Sequence, residues 1–170
     1  MQRLYTQILL VAFFAITPIF PAQTLAQNTV SSDIVLTVAN TTDRANEKVT
    51  FAFNMALLDA LPQEQFSTTT IWTEGQNTFS GVLLKDIVDV TGLQGNLVTA
   101  WAINDYMAEF TVGSLAFNSA LIATRHNGET MHPRDKGPLW IVFPYSNGSE
   151  FQTEAIFAQS VWQLNRLDVE

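Results

Sequence analysis

Both histidines of the chain, His126 and His132, flank the dipeptide Asn127 and Gly128. Imidazole is a common metal ligand that titrates near neutral pH, and an Asn-Gly pair between two chain segments predicts a tight β-hairpin. Such a hairpin could carry the two rings onto facing strands, with a nearby carboxylate such as Asp135 as a third ligand. The chain has no His-Glu-x-x-His spacing and no Cys/His cluster. The pattern therefore favours exposed hairpin histidines over a metal site.

Arg125, Arg134 and Lys136 form the only local concentration of positive charge in a chain of formal net charge −8. Arginine forks bind carboxylate, phosphate or sulfate through two parallel hydrogen bonds. The cluster therefore indicates either an anion pocket or ordinary surface pairing with the many carboxylates. Surface pairing is the favoured interpretation.

The remaining candidates are aromatic and amide side chains. All four tryptophans (Trp72, Trp101, Trp140 and Trp162) fall in predicted strands, where packing in the core is the default role of an indole. Asn104, Asp105 and Tyr106 follow a strand end, where they either line a cleft or cap a turn. No Gly-x-Ser-x-Gly elbow and no glycine-rich phosphate loop is present.

The composition and charge of the chain limit the kind of fold and the partners that it can have. The 170 residues are 47% hydrophobic and 14% charged, as expected for one globular domain. The acidic balance disfavours nucleic acid and anionic membrane surfaces as partners. The chain has no cysteine, so it has no disulfide, no thiolate metal ligand and no thiol nucleophile.

Residues 1–26 are predicted to be a secretory signal peptide. Arg3 precedes a mostly apolar run at 8–20, and the tripeptide at 24–26 offers a cleavage site before Gln27. The apolar run is short for a membrane span of about 20 residues, although an uncleaved anchor is the alternative. The start has no arginine pair, which indicates the general rather than the twin-arginine export route. We therefore expect a periplasmic or secreted domain over 27–170, with no stable membrane insertion after cleavage.

The elements that must position these residues are short. Alternating or β-branched segments predict strands at 34–38, 49–55, 66–73, 98–103, 110–112, 121–124, 139–143 and 161–169. Helical spacing occurs at 56–61, at 83–90 before Gly92, and at 154–159. The run at 139–143 has the continuous apolar character of a strand buried on both faces. The fold class predicted is α+β, with mixed, mainly antiparallel sheets and short helices.

Five segments, in order, resemble the molybdopterin-binding oxidoreductase domain of sulfite oxidases and their bacterial relatives. They are FSGVLLKDIV at 79–88, AINDY at 102–106, LIA at 121–123 with NGETM at 127–131, DKGPLWIVFP at 135–144, and WQLNRL at 162–167. The similarity extends over about 49–169. It implies a sulfite-oxidase-like fold with mainly antiparallel sheets and a cleft for the pterin.

The departures from that family concern its metal. The family holds molybdenum with a pterin dithiolene and one cysteine that precedes the segment at 79–88. This chain has TTTIW at 68–72 there and no cysteine anywhere, and a threonine hydroxyl is a poor substitute for a thiolate. Arginine-rich loops for the pterin phosphate are not evident, and a general export signal implies an unfolded passenger that carries no cofactor.

The resemblance therefore predicts a degenerate, non-catalytic domain with no cofactor expected. It would bind a small ligand or a periplasmic protein partner in the former cofactor cleft. The alternative is a molybdopterin-dependent oxidoreductase that is active without the cysteine. The residues predicted to line the cleft are Trp72, Asn104, Tyr106, Arg125, His126, His132 and Arg134.

Overall fold

The computed structural model describes residues 33–40 and 49–170, which contain two five-stranded sheets and short helices. The strands are β1 Ile34–Asn40, β2 Thr50–Asn54, β3 Glu64–Thr69, β4 Gln76–Leu83, β5 Leu97–Ala102, β6 Met107–Thr111, β7 Leu121–His126, β8 Glu129–Thr130, β9 Trp140–Val142 and β10 Leu164–Val169. The α-helices are α1 Met55–Asp59, α2 Leu84–Thr91, α3 Leu115–Ser119 and α4 Glu154–Ala158. Three 3-10 turns lie at Pro133–Asp135, Tyr145–Asn147 and Ser149–Phe151. The predicted signal peptide lies outside the described residues.

The first sheet has the strand order β2-β1-β10-β5-β6. β1 and β10 are parallel, whereas the other pairs of this sheet are antiparallel. In the second sheet, β3, β4 and β7 are neighbours, and both β8 and β9 pair with β7. Every pair in this sheet is antiparallel. The predicted α+β class with mainly antiparallel sheets is therefore confirmed.

The two sheets share one hydrophobic core. Leu36 and Leu167 from the first sheet and Ile122 and Ile141 from the second are fully buried in the same cluster. A smaller cluster on the other face of the second sheet contains Trp140 and Val142, among others. Alternate residues of β9 thus enter different cores, so this short strand is buried on both faces, as its apolar run predicts.

The predicted Asn-Gly hairpin is confirmed. Asn127 and Gly128 have φ values of 51° and 83°, which suit a two-residue turn with positive φ at both positions. The Asn127 side chain also accepts a hydrogen bond of 2.9 Å from the Thr78 backbone N–H of β4. The same dipeptide therefore turns the chain and ties the turn to the neighbouring strand.

The long amphipathic helix also follows the prediction. α2 buries Leu84, Ile87 and Val88, and it ends at Gly92, whose left-handed φ of 68° is costly for most other residues. No helix in the described ranges is long and apolar enough to span a membrane.

Two predictions that placed tryptophans in strands were wrong at the strand ends. β3 ends at Thr69, so Trp72 lies in the following turn rather than in a strand. There the Thr70 hydroxyl accepts a hydrogen bond from the Trp72 backbone N–H at 3.1 Å, a turn-forming contact that outweighs β propensity. Likewise β10 begins at Leu164, because Gln163 adopts a φ of 55°. Trp162 makes only an isolated bridge to Trp140.

Candidate functional site

Trp72 lies at the centre of an aromatic cluster. Its indole makes edge-on contacts with the rings of Trp140, Tyr145, Phe157 and Trp162, at centroid separations between 5.8 and 6.1 Å. These partners come from β9, from the turn that follows it, from α4 and from the segment before β10. Edge-to-face packing of this kind stabilises beyond the area it buries. The cluster therefore fixes the turn that carries Trp72 against four distant parts of the chain.

A buried amide holds that turn from the opposite side. Asn77 is 5% exposed, and its Nδ2 donates to the Thr73 hydroxyl at 2.9 Å and to the carbonyls of Glu74 and Gly75 at 3.1 Å each. Carbonyl oxygens only accept hydrogen bonds, so these contacts settle which end of the amide is nitrogen. The Asn77 carbonyl oxygen must therefore point the other way, towards His126.

His126 packs at the edge of the same aromatic layer. Its ring stacks on Phe79 at 4.9 Å with an interplanar angle of 10°, and it meets Trp140 edge-on at 6.4 Å. His126 Nε2 lies 2.7 Å from Asn77 Oδ1, so Nε2 carries the proton and donates it. The imidazole is thereby held in one tautomer and one orientation.

The surroundings of His126 favour the neutral ring. Burial lowers the pKa of His126 below its usual 6.5, and the positive charge of Lys136 lowers it further. Lys136 itself lies with its Nζ 5.6 Å from the centroid of Trp140. A neutral histidine whose Nε2 is occupied suits a packing and hydrogen-bonding role better than that of a charged anion receptor.

Arg125 is paired within the protein. Its Nη2 lies 2.8 Å from Asp59 Oδ2 at the end of α1, and its Nη1 donates to the Thr124 carbonyl at 3.1 Å. The guanidinium is about a quarter exposed. The cationic cluster predicted from the sequence is therefore divided, because Arg125 binds Asp59 while Lys136 lies over Trp140.

His132 and Arg134 lie in the exposed segment after β8. His132 caps the 3-10 turn Pro133–Asp135, and its Nδ1 accepts a hydrogen bond of 3.1 Å from the Arg134 backbone N–H. The hairpin register pairs His126 with Glu129 rather than with His132. In the part of the chain that the structure describes, no group of three or more His, Asp or Glu side chains is arranged to hold a metal ion.

Asn104 and Tyr106 lie in the turn that joins β5 to β6 of the first sheet. Asn104 Oδ1 accepts a hydrogen bond of 3.2 Å from the Tyr106 backbone N–H, and Asp105 between them has a φ of 64°. The Tyr106 hydroxyl donates to the Ala158 carbonyl at 2.6 Å, at the end of α4. These side chains cap a turn and anchor a helix end, and no hydrogen bond or ring contact joins either of them to Trp72 or His126 within the described residues.

A cavity of about 310 Å³ lies beside the turn that carries Trp72. It is lined by Thr69, Thr70, Ile71, Tyr145, Gln152 and Phe157. Burial raises the pKa of the Tyr145 phenol to about 12, and its OH lies 2.6 Å from the buried Ser160 hydroxyl. The lining contains hydroxyls, an amide and apolar rings but no charged side chain, which suits a small uncharged ligand.

The structure thus brings together two of the seven predicted residues, Trp72 and His126, through Trp140 and Phe79. Sequence reasoning missed Asn77, Phe157 and Gln152 as members of the site. No local pattern marked them, because the fold brings Phe157 and Gln152 beside the turn after β3 and brings Asn77 to His126, 49 residues away. The chain matches no protein-family model and no curated protein.

Proposed function

We propose that this protein is an exported, non-catalytic domain of the sulfite-oxidase-like type, which binds a small uncharged ligand in the cavity beside Trp72. The observation that carries the proposal is the packing of Trp72. By the resemblance, the metal-binding cysteine belongs to the segment before 79–88, and there the chain presents threonines and an indole held by four other rings.

The residues present do not fit a molybdenum cofactor. The sequence has no cysteine to supply a thiolate, and hydroxyls such as those of Thr69 and Thr70 are poor ligands for a soft metal site. The cavity lining also carries no cation for a pterin phosphate. Arg125, the predicted anion receptor closest in sequence to His126, is bound to Asp59. These observations support binding without redox chemistry.

The first test measures metal and pterin in protein isolated from cells that load a molybdenum-containing sulfite oxidase in parallel as a positive control. We expect neither stoichiometric molybdenum nor pterin fluorescence after acid release. Stoichiometric amounts of both would overturn the proposal and establish the alternative oxidoreductase.

The second test concerns the cavity. Small molecules extracted from the native protein would be compared by mass spectrometry with those from Thr69→Phe, which places a ring in the cavity from an exposed rim position. Thr111→Phe is the matched control, because Thr111 is an exposed strand residue of the first sheet. We expect the wild type and Thr111→Phe to retain a ligand that Thr69→Phe loses. Retention by Thr69→Phe, or no ligand in the wild type, would refute the small-ligand proposal.

A further inference from the structure

A second cavity, of about 410 Å³, lies on the face of the first sheet that points away from the shared core. Residues of β1, β5 and β10 and of the turn after β5 line it. Its size lies within the range of about 300–1,000 Å³ that is typical of small-molecule sites. It has no lining residue in common with the cavity beside Trp72.

The floor of this cavity is a stacked pair, Arg166 and Trp101. Strand register places Thr37, Arg166 and Trp101 side by side on β1, β10 and β5. The Arg166 guanidinium carbon lies 4.6 Å from the centroid of the Trp101 indole, a cation–π contact that orients the planar group. Arg166 Nε also lies 3.2 Å from Asp168 Oδ2. The indole therefore orients the guanidinium from its face, and the Asp168 carboxylate attracts it without forming a hydrogen bond to Nε.

Hydrogen-bond donors of both residues are left without partners. The Trp101 indole N–H and the Arg166 Nε–H are both buried and have no hydrogen-bond acceptor. Trp101 and Asp168 are the only described contacts of the Arg166 guanidinium, so its two terminal nitrogens have no acceptor in the described ranges. The side chain of Arg166 is 42% exposed. An oriented and accessible guanidinium can bind a carboxylate through two parallel hydrogen bonds from its N–H groups.

The residues that line the walls of the cavity determine the net charge and the apolar surface that the ligand should have. Ile34 and Ile103 are half exposed, at 50% and 55%, and both line the cavity. Arg166 is the only cation among the lining residues, and Asp105 contributes a carboxylate. A second negative charge on the ligand would therefore be repelled, whereas an apolar body would cover exposed isoleucine and indole surface.

We propose that this cavity binds a small monocarboxylate with an apolar or aromatic body. The carboxylate takes the terminal nitrogens of Arg166, and the apolar body lies against Trp101, Ile34 and Ile103. This site is separate from the one proposed beside Trp72, and each proposal is tested independently of the other.

The test is a titration followed by the indole N–H signals in ¹H–¹⁵N spectra, with the Trp101 signal assigned from Trp101→Phe. The probes are 3-phenylpropionate, its neutral amide and inorganic phosphate. We expect a saturable shift of the Trp101 signal with 3-phenylpropionate, and affinities for the amide and for phosphate that are at least about tenfold lower, since hydrogen bonds to charged groups are the stronger ones. No saturable shift, or equal affinity for acid and amide, would overturn the proposal.

Variants locate the interaction. Arg166→Gln should remove the preference for acid over amide, whereas Arg134→Gln, which changes an exposed arginine after β8, should leave it intact. Asp105→Asn suits the left-handed backbone of the β5–β6 turn and should tighten binding of 3-phenylpropionate by a few fold, because a nearby negative charge is removed. A preserved acid preference in Arg166→Gln, or unchanged affinity in Asp105→Asn, would contradict the proposed site. The comparison of acid with amide on the wild type stands even if Arg166→Gln fails to fold.

Discussion

His126 Nε2 lies 2.7 Å from Asn77 Oδ1, across a sequence separation of 49 residues. Asn77 simultaneously donates to the loop that follows Trp72. One buried amide thus joins the end of β7 to the turn that anchors the aromatic cluster.

The first prediction concerns pH. Burial and Lys136 lower the pKa of His126 in the folded state, so the folded protein binds this proton less readily than the unfolded chain does. The stabilisation is complete above about pH 6.5, the ordinary histidine pKa, and is lost as pH falls through the lower folded value. Unfolding free energies measured between pH 4 and 8 should show this loss for the wild type, and His126→Gln should show less of it.

A histidine NMR titration provides the direct measurement. Lys136→Gln should move the pKa of His126 upwards, because the repelling charge is removed. Asn77→Asp should raise it further, since a carboxylate would replace the amide beside Nε2. A pKa of His126 at or above 6.5 in the wild type would contradict the burial seen in the structure.

The second prediction is that Asn77→Ala destabilises the fold by about 2–3 kcal/mol. The substitution removes the hydrogen bonds that the buried Asn77 amide makes with Thr73, Glu74, Gly75 and His126, and each such bond contributes about 0.5–1.5 kcal/mol net. Urea denaturation measures the effect. Asn118→Ala is the control, because Asn118 makes an exposed side-chain hydrogen bond to Gly113, and its loss should cost less than about 0.5 kcal/mol. Equal effects at the two positions would argue against the special role of Asn77.

The third prediction concerns the aromatic cluster. Trp72→Ala removes four ring contacts and should cost about 2–4 kcal/mol, somewhat less than for a fully buried tryptophan. It should also reduce the near-UV circular dichroism of the folded protein. Ile71→Ala is the matched control, because Ile71 is the residue next to Trp72 and is 66% exposed. If the two variants were equally stable, Trp72 could not be the centre of the cluster.

The fourth prediction concerns Gly81, at a register irregularity between β4 and β7. A Cβ at this position would collide with the Ile122 carbonyl and approach the backbone of Ala123. Backbone atoms in a sheet cannot move aside easily, so Gly81→Ala should cost about 1–3 kcal/mol. Thermal unfolding would be compared with that of Ser80→Ala, the adjacent strand residue, which should unfold near the wild-type temperature. If Gly81→Ala unfolded at the wild-type temperature, β4 and β7 would have to lie further apart at this position than they do in the structure.

Local sequence patterns predicted most elements of this protein, although β4, β8 and α3 have no counterpart among the predicted segments. Alternation predicted β1 and β2, and helical spacing with a terminal glycine predicted α2 and its end at Gly92. The dipeptide Asn127 and Gly128 predicted the turn between β7 and β8. Such features depend on side-chain periodicity and on permitted φ values, which are properties of neighbouring residues. They are therefore readable without knowing what lies across the fold.

Only the tertiary structure decided which side chains meet. The sequence left Arg125 between an anion pocket and surface pairing, and only the fold placed it against Asp59, 66 residues earlier. The sequence predicts a strand at Trp72, whereas a hydrogen bond from its backbone N–H to the Thr70 hydroxyl and ring contacts with Trp140 of β9 and with Trp162, before β10, hold it in a turn. The stack of Arg166 on Trp101 depends on the pairing of β10 with β5. The ion pair of Arg125, the ring contacts of Trp72 and the stack of Arg166 on Trp101 all join residues that are far apart in sequence, so they are set by sheet register and core packing rather than by any local pattern.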